Sequence, residues 1–362
     1  MAAHGHRVLT LEHVSTAPRR PLAALLVTFA AASTLAACGG SNHPKTAAAP
    51  SSPSPSVSPS PAPSPSPVGP PSPLSGLPAP AGAPVLAVKI DNTAAARPQA
   101  GLEDADIVYV EQVEGGLTRL LAVFSSRIPK AVGPVRSVRT DNLDLVAQLG
   151  GPVAFSFSGG QPAAVAVVRS SPILDVSYDA FPGLYRREPG RPAPYNLFAD
   201  PAALLHARQG VQQAKSIGWV FDEARAPTDG VGDKVAATYP GTRLAFQYLP
   251  ASHTYGLLQD GVQVEGTDGT QLSAANVIVQ RVGLVFTGLK DIKGSFSPAT
   301  LSTGGGDATV LRDGHSIDAT WSRPTRMQGT RWQTRRSRVD VALRPGTTWV
   351  LLLPNGSGLS LT

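Results

Sequence analysis

Residues 105–124 read ADIVYVEQVEGGLTRLLAVF, two apolar runs rich in β-branched residues on either side of Gly115-Gly116. Runs of that length and composition predict strands. The glycine pair between them predicts a hairpin, because both central positions of a primed turn require positive φ. A two-residue turn at Gly115-Gly116 places Glu114 and Arg119 on one face as a diagonal pair. It places Glu111 on the other face, among Ile107, Tyr109, Leu120, Ala122 and Phe124, where a carboxylate must be ion-paired or raised in pKa. Upstream, PVLAVKID at residues 84–91 has the length and composition of a further strand.

Downstream, residues 133–142 read GPVRSVRTDN, with two arginines three apart at the entrance to an amphipathic run. Asp141 is the expected N-cap, Asp144 follows in the first turn, and Leu143, Val146, Ala147 and Leu149 form the apolar stripe before two glycines. Arg136 and Arg139 therefore stand where free N–H groups and the positive end of a helix dipole gather. A second joint, GPVAFSFSGGQPAAVAVV, carries Gly159-Gly160 before Pro162 in the first turn of another helix. At one edge of one sheet, the two joints line a single cleft. The competing structural expectation is that Arg136 or Arg139 is the ion partner of Glu111.

The address of the chain comes from its first residues. Arg7, Arg19 and Arg20 precede PLAALLVTFAAASTLAAC, a charged region, a short apolar region and small residues before Cys38, the sole cysteine in 362 residues. That order is expected of a secretory signal at 1–37, and the apolar stretch is short for a membrane span. The LAAC sequence resembles the bacterial lipobox, which makes Cys38 a lipidation site rather than a disulfide or a nucleophile. Residues 38–84 are rich in proline, serine and alanine and are expected to be a disordered, extended tether. Without residues 1–37 the chain carries 28 basic and 24 acidic side chains. Arg331, Arg335, Arg336 and Arg338 lie close together in TRWQTRRSR, expected to be a solvated strand face, and an extracytoplasmic location argues against nucleic acid as a partner.

Residues 85–226 are assigned to an α/β or α+β domain, closed by a helix at 201–217. Residues 235–358 are assigned to a β-rich domain, with the boundary at Pro227 to Lys234. In the second half RLAFQY, TYGLLQDGVQVEG, NVIVQRV, ATVLRDGHSIDATW and TTWVLLL alternate as short strands, and Trp321, Trp332 and Trp349 are expected in the core.

The stretches NTAAARPQAGLEDADIVYVEQVEGGLTRLLAVF, GPVRSVR, SGGQP and APYNLF, followed by LSAANVIVQ and LRPGTTWVLLLP, resemble the YerB-like lipoproteins. These are a two-domain bacterial family (DUF3048 N- and C-terminal domains) with no assigned biochemical function. The resemblance covers nearly everything after the tether and implies an envelope lipoprotein on the outer face of the cell membrane. It carries no catalytic assignment. Phe157 and Tyr195 stand where the family commonly has histidines.

Several chemistries are argued down. His43, His206, His253 and His315 are scattered, so no metal site is expected, and no cofactor is expected either. There is no Gly-x-Ser-x-Gly elbow and no phosphate-binding Gly-x-x-x-x-Gly-Lys loop. The leading expectation is a membrane-tethered protein that recognises an anionic envelope component or an envelope protein through Arg119, Arg136, Arg139, Glu111, Gly159 and Gly160. The alternative is a hydrolase or transferase acting on wall glycan or peptide, with Glu111 and one of Asp106 or Glu114 as its carboxylates. A purely structural partner of another envelope protein is the third.

Overall fold

The computed structural model describes residues 69–224, 229–291 and 294–362. The signal at 1–37, the lipidation site Cys38 and most of the tether lie outside the described residues. Strand β1 (Leu86–Asp91) lies beside β3 (Thr118–Phe124), which pairs with β2 (Ile107–Gln112) as the hairpin expected from 105–124. Every residue of β1 and β2 is buried, lysine and glutamate included, as expected of strands covered on both faces.

The helices are α1 (Asn142–Ala147), α2 (Pro162–Arg169) and α3 (Pro201–Ala207). Between them β4 (Ala154–Ser156) runs parallel to β1, and β5 (Leu174–Asp175) runs parallel to β4. The second half adds β6 (Lys234–Tyr239), β7 (Thr242–Leu249), β8 (Thr254–Gln259), β9 (Asn276–Lys290), β10 (Phe296–Leu301), β11 (Gly304–Arg312), β12 (His315–Arg323), β13 (Arg331–Thr334), β14 (Thr348–Pro354) and β15 (Gly358–Leu361).

The two halves share one sheet in the order β13-β12-β11-β9-β14-β2-β3-β1-β4-β5. Strand β14, TWVLLLP, is inserted parallel to both β2 and β9, and its continuous burial fits that central place. One face of the sheet packs Val108, Val110, Leu351 and Trp349 against Phe246, Tyr255 and Leu257 of a smaller sheet built on β6, β7, β8 and β15. The other face packs Tyr109, Leu121, Val350 and Leu352 with Leu143 and Val146 of α1 and Ala164 and Val168 of α2. The result is an α/β first half and a β-rich second half around a common sheet. Trp321, Trp332 and Trp349 are buried, Trp332 with its ring 4.8 Å from Trp219 and Trp349 5.5 Å from Phe246. Among the described residues no helix is long and apolar enough to cross a membrane.

Four local expectations are corrected. The hairpin loop has three residues, Glu114–Gly116, not two: Val113 N–H donates to the Leu117 carbonyl, and Glu111 stands opposite Arg119. The loop packs against the second half of the chain. Gly241 N–H donates to the Gly116 carbonyl at 2.9 Å, and a Cβ on Gly116 would come within 2.5 Å of Pro240. The helix expected at 201–217 ends at Ala207, because the following chain is used as a strand-like partner: Val85 N–H donates to the Gln212 carbonyl and Ala214 N–H to that of Ala83. Residues 69–84, assigned by composition to the tether, are packed on the body, with Leu74 buried and Ser75 Oγ 2.7 Å from Ser126 Oγ. Asp141 does hold the N-cap position of α1, but its side chain makes no cap bond.

Candidate functional site

The end of β1 and the β2-β3 hairpin place Glu111, Arg119 and Asp91 in one row across three strands, all facing the helix layer. The GPVRSVR segment runs along the edge of this row. Arg136 N–H donates to the Lys89 carbonyl, and Val138 N–H donates to the Gly159 carbonyl, so the arginine loop and the Gly159-Gly160 loop lie side by side. A Cβ on Gly160 would meet Val138 Cγ1 at 2.7 Å, so the close approach requires glycine there. Gly159 adopts φ +65°.

Between these loops and the β9-β10 hairpin lies a cleft of about 610 Å³, lined among others by Arg119, Arg136, Arg139, Gly160, Tyr195 and Lys290. The two joints singled out in the sequence do meet there. The free N–H groups expected at the first helix do not contribute, because α1 is short and its first turn is internally bonded: Asn142 N–H donates to the Arg139 carbonyl and Arg139 N–H to Asn142 Oδ1.

The three arginines are in different states. Arg139 grips Glu114 with two bonds of 2.7 Å, from Nε and Nη2, and spends Nη1 on the Val138 carbonyl. Burial alone would raise Glu114, but Arg139 and a short bond from Ser297 Oγ of β10 hold it at about 2. Arg136 Nε lies 2.9 Å from Asp91 Oδ2, Nη1 reaches the Pro194 carbonyl, and the guanidinium stands 5.6 Å from the centre of the Tyr195 ring. Arg119 makes no ion pair among the described residues, and its one bond is a long one, 3.4 Å from Nη1 to the Ser137 carbonyl. Burial, then the charges of Arg139 and Arg136, push it down to about 10.

Glu111 is not part of the cleft. Its carboxylate is enclosed, paired with Lys89 Nζ and bonded by Asn142 Nδ2 at 2.8 Å to both oxygens. Neither Arg136 nor Arg139 is its partner. Beside it Asp141 accepts Thr300 N–H at 2.9 Å through Oδ2, while Oδ1 has no partner. Burial and the neighbouring Glu111 push Asp141 up to about 7, and burial pushes Lys89 down. The expected Glu114–Arg119 pair is replaced by Glu114–Arg139. Asp106, at the far end of β2, is occupied by Ser126 N–H at 2.9 Å. No two of Asp106, Glu111 and Glu114 therefore face one another across a cavity, as a hydrolytic pair would.

Sequence reasoning missed Lys89, Asn142, Lys290 and Ser297. The signal for Lys89 was its place inside LAVKID, where a fully buried lysine demands a carboxylate. Nothing local marks Ser297 or Lys290, which reach the site from the second half of the chain. Phe157 is core, 5.2 Å from Phe155, whereas Tyr195 lines the cleft. Among the described residues no group of histidine, cysteine, aspartate and glutamate could hold a metal ion.

The model for the N-terminal domain of the family "Protein of unknown function (DUF3048)" matches residues 74–214, and that for its C-terminal domain matches residues 235–350. A Bacillus subtilis (strain 168) protein named "Putative lipoprotein YerB" is 25% identical over 293 residues, covering 76% of this chain and 83% of that protein. The crystal structure of the Bacillus subtilis YerB protein superposes with a TM-score of 0.68 at 23% identity, over 80% of this chain and 98% of the other, which establishes a shared fold.

Proposed function

The chain belongs to the two-domain DUF3048 family, and from that premise we propose that it is a lipid-anchored extracytoplasmic envelope protein that holds an anionic envelope component in its arginine-lined cleft. The anchor is Cys38, acylated after removal of residues 1–37, with the Pro/Ser-rich stretch as the tether. The lipobox-like LAAC sequence supports this, together with the name borne by the Bacillus relative.

The observation that carries the binding assignment is Arg119. A guanidinium set into a strand beside a cleft, with both neighbouring carboxylates in its row already paired to Lys89 and Arg136, is positive charge that the fold does not neutralise. Such a charge is costly in the empty protein and is offset when an anion arrives. Glu114 and Asp91 act as supports that fix Arg139 and Arg136 rather than as acid or base.

The test is thermal unfolding of the protein with envelope fractions bearing carboxylate or phosphate groups. A bound ligand at about a hundred times its Kd adds about 2.7 kcal/mol to the folded state. The shift should vanish in Arg119→Gln. Stabilisation that survives this substitution would move the site elsewhere.

A further inference from the structure

Resting on that reading, we infer that the cleft takes a single oxyanion of one negative charge, a carboxylate or a phosphodiester, carried on a larger uncharged body, with Arg119 as its principal donor. Three observations lead there. The first is the supply of donors. Arg139 has committed Nε, Nη1 and Nη2 to Glu114 and Val138. Arg136 is partly committed to Asp91 and Pro194. Arg119 keeps Nε and Nη2 without a bonded partner, so two oxygens of a carboxylate or of a phosphodiester can be met by one free fork.

The second is charge. Among the described residues the cleft is lined by Arg119, Arg136, Arg139 and Lys290 against Asp91, Glu114 and Asp291, a balance of +1. A singly charged group neutralises it. A densely charged polyanion would meet two carboxylates locked in place by their own arginines and, among the described residues, find no continuing row of unpaired cations, which is the arrangement that long polyanions require.

The third is size and lining. A carboxylate or phosphate fills the space of only a few waters, at about 30 Å³ each, whereas the cleft measures about 610 Å³. The uncharged wall mixes Val113, Leu117, Pro162 and Tyr195 with hydroxyl and amide side chains such as Thr93 and Gln161, and Leu117 is 39% exposed. That mixed apolar and neutral polar surface suits an uncharged sugar or peptide body more than a second charge.

The experiment is calorimetric titration of the whole protein with three probes, at low and moderate salt: a bis-glyceryl phosphodiester, acetyl-alanyl-alanine as the free carboxylate, and inorganic polyphosphate. One-to-one binding of the phosphodiester or the dipeptide is expected, and whichever binds more tightly identifies the source of the oxyanion. Arg119→Gln should weaken that binding by at least about tenfold, with an unchanged or higher melting temperature in the absence of probe. Lys290→Gln, on the exposed hairpin, should weaken it less. Tighter binding of polyphosphate, lost in Arg119→Gln, would overturn the single-charge inference while leaving Arg119 an anion site. No response to any probe overturns the inference for these classes, and the envelope-fraction melts then decide separately whether the cleft binds anions. Equal binding by parent and Arg119→Gln would overturn both.

Discussion

Asp141→Asn isolates the proton held by the buried cluster behind the cleft. Asp141 faces Glu111, which is paired with Lys89 and bonded by Asn142, and it receives Thr300 N–H from β10. Burial and the Glu111 charge push the Asp141 carboxyl up to about 7, with Lys89 pulling in the opposite direction. A carboxyl whose folded pKa exceeds its unfolded value favours the fold while protonated. Its contribution is complete below about pH 4 and is lost as the pH rises through 7. Each pH unit in that window is worth about 1.4 kcal/mol, so between pH 5 and pH 8 the parent should lose about 2–3 kcal/mol from this group. Asparagine preserves the shape and an amide oxygen for Thr300 N–H but has no proton to release. The variant should therefore match the parent below about pH 4, and its advantage should grow by about 2–3 kcal/mol between pH 5 and pH 8. Urea unfolding of both proteins at several pH values gives the difference directly, and other titrating groups cancel in it. A difference that stays constant from pH 5 to pH 8, or a variant weaker than the parent at pH 8, would refute the raised Asp141 carboxyl.

Arg139→Ala should cost about 3–5 kcal/mol at neutral pH, because it strands a buried carboxylate. Glu114 is held at about 2 in the fold, so the stability it contributes is present above about pH 4.5 and lost as the pH falls through 2, and the deficit of the variant should narrow over that range in acid melts. Gly160→Ala should destabilise by about 1–3 kcal/mol through overpacking against Val138, measured by urea unfolding. On the proposed acylation of Cys38, Cys38→Ser should move the protein from the membrane fraction to the soluble fraction; retention with the signal still removed would show a different attachment.

The strands were legible because their evidence is local: IVYVEQ, LAVKID and TWVLLLP are apolar over strand length, and the tryptophans fell in the core as aromatic residues at strand spacing do. The two loops of the cleft were legible for the same reason, since glycine and proline mark turns wherever they are buried or exposed. The ion partners were not. Which arginine takes which carboxylate depends on distances of a few ångströms between segments far apart in sequence. Arg139 meets Glu114 across 25 positions, and Ser297 meets it across 183. Arg323 shows the same limit. It is fully buried, and it is spent on main-chain carbonyls of Gln328, Arg326, Asp144 and Ser302 rather than on any carboxylate.

The most consequential miss was one residue of loop length. With a two-residue turn, Arg119 would stand opposite Gln112 and share a face with Val108 and Val110, which is the face buried against Phe246 and Leu257 of the second sheet. A slip of one residue turns every side chain of a strand to the other face. With the three-residue loop, Arg119 stands opposite Glu111 and turns to the helix layer, where the arginine and glycine loops leave a cleft. Pro240 and Gly241 pack on Gly116 in the observed register and leave no room for a Cβ there. The second half of the chain therefore closes on the very loop whose length turns Arg119 toward the cleft, in a site built mostly from the first half.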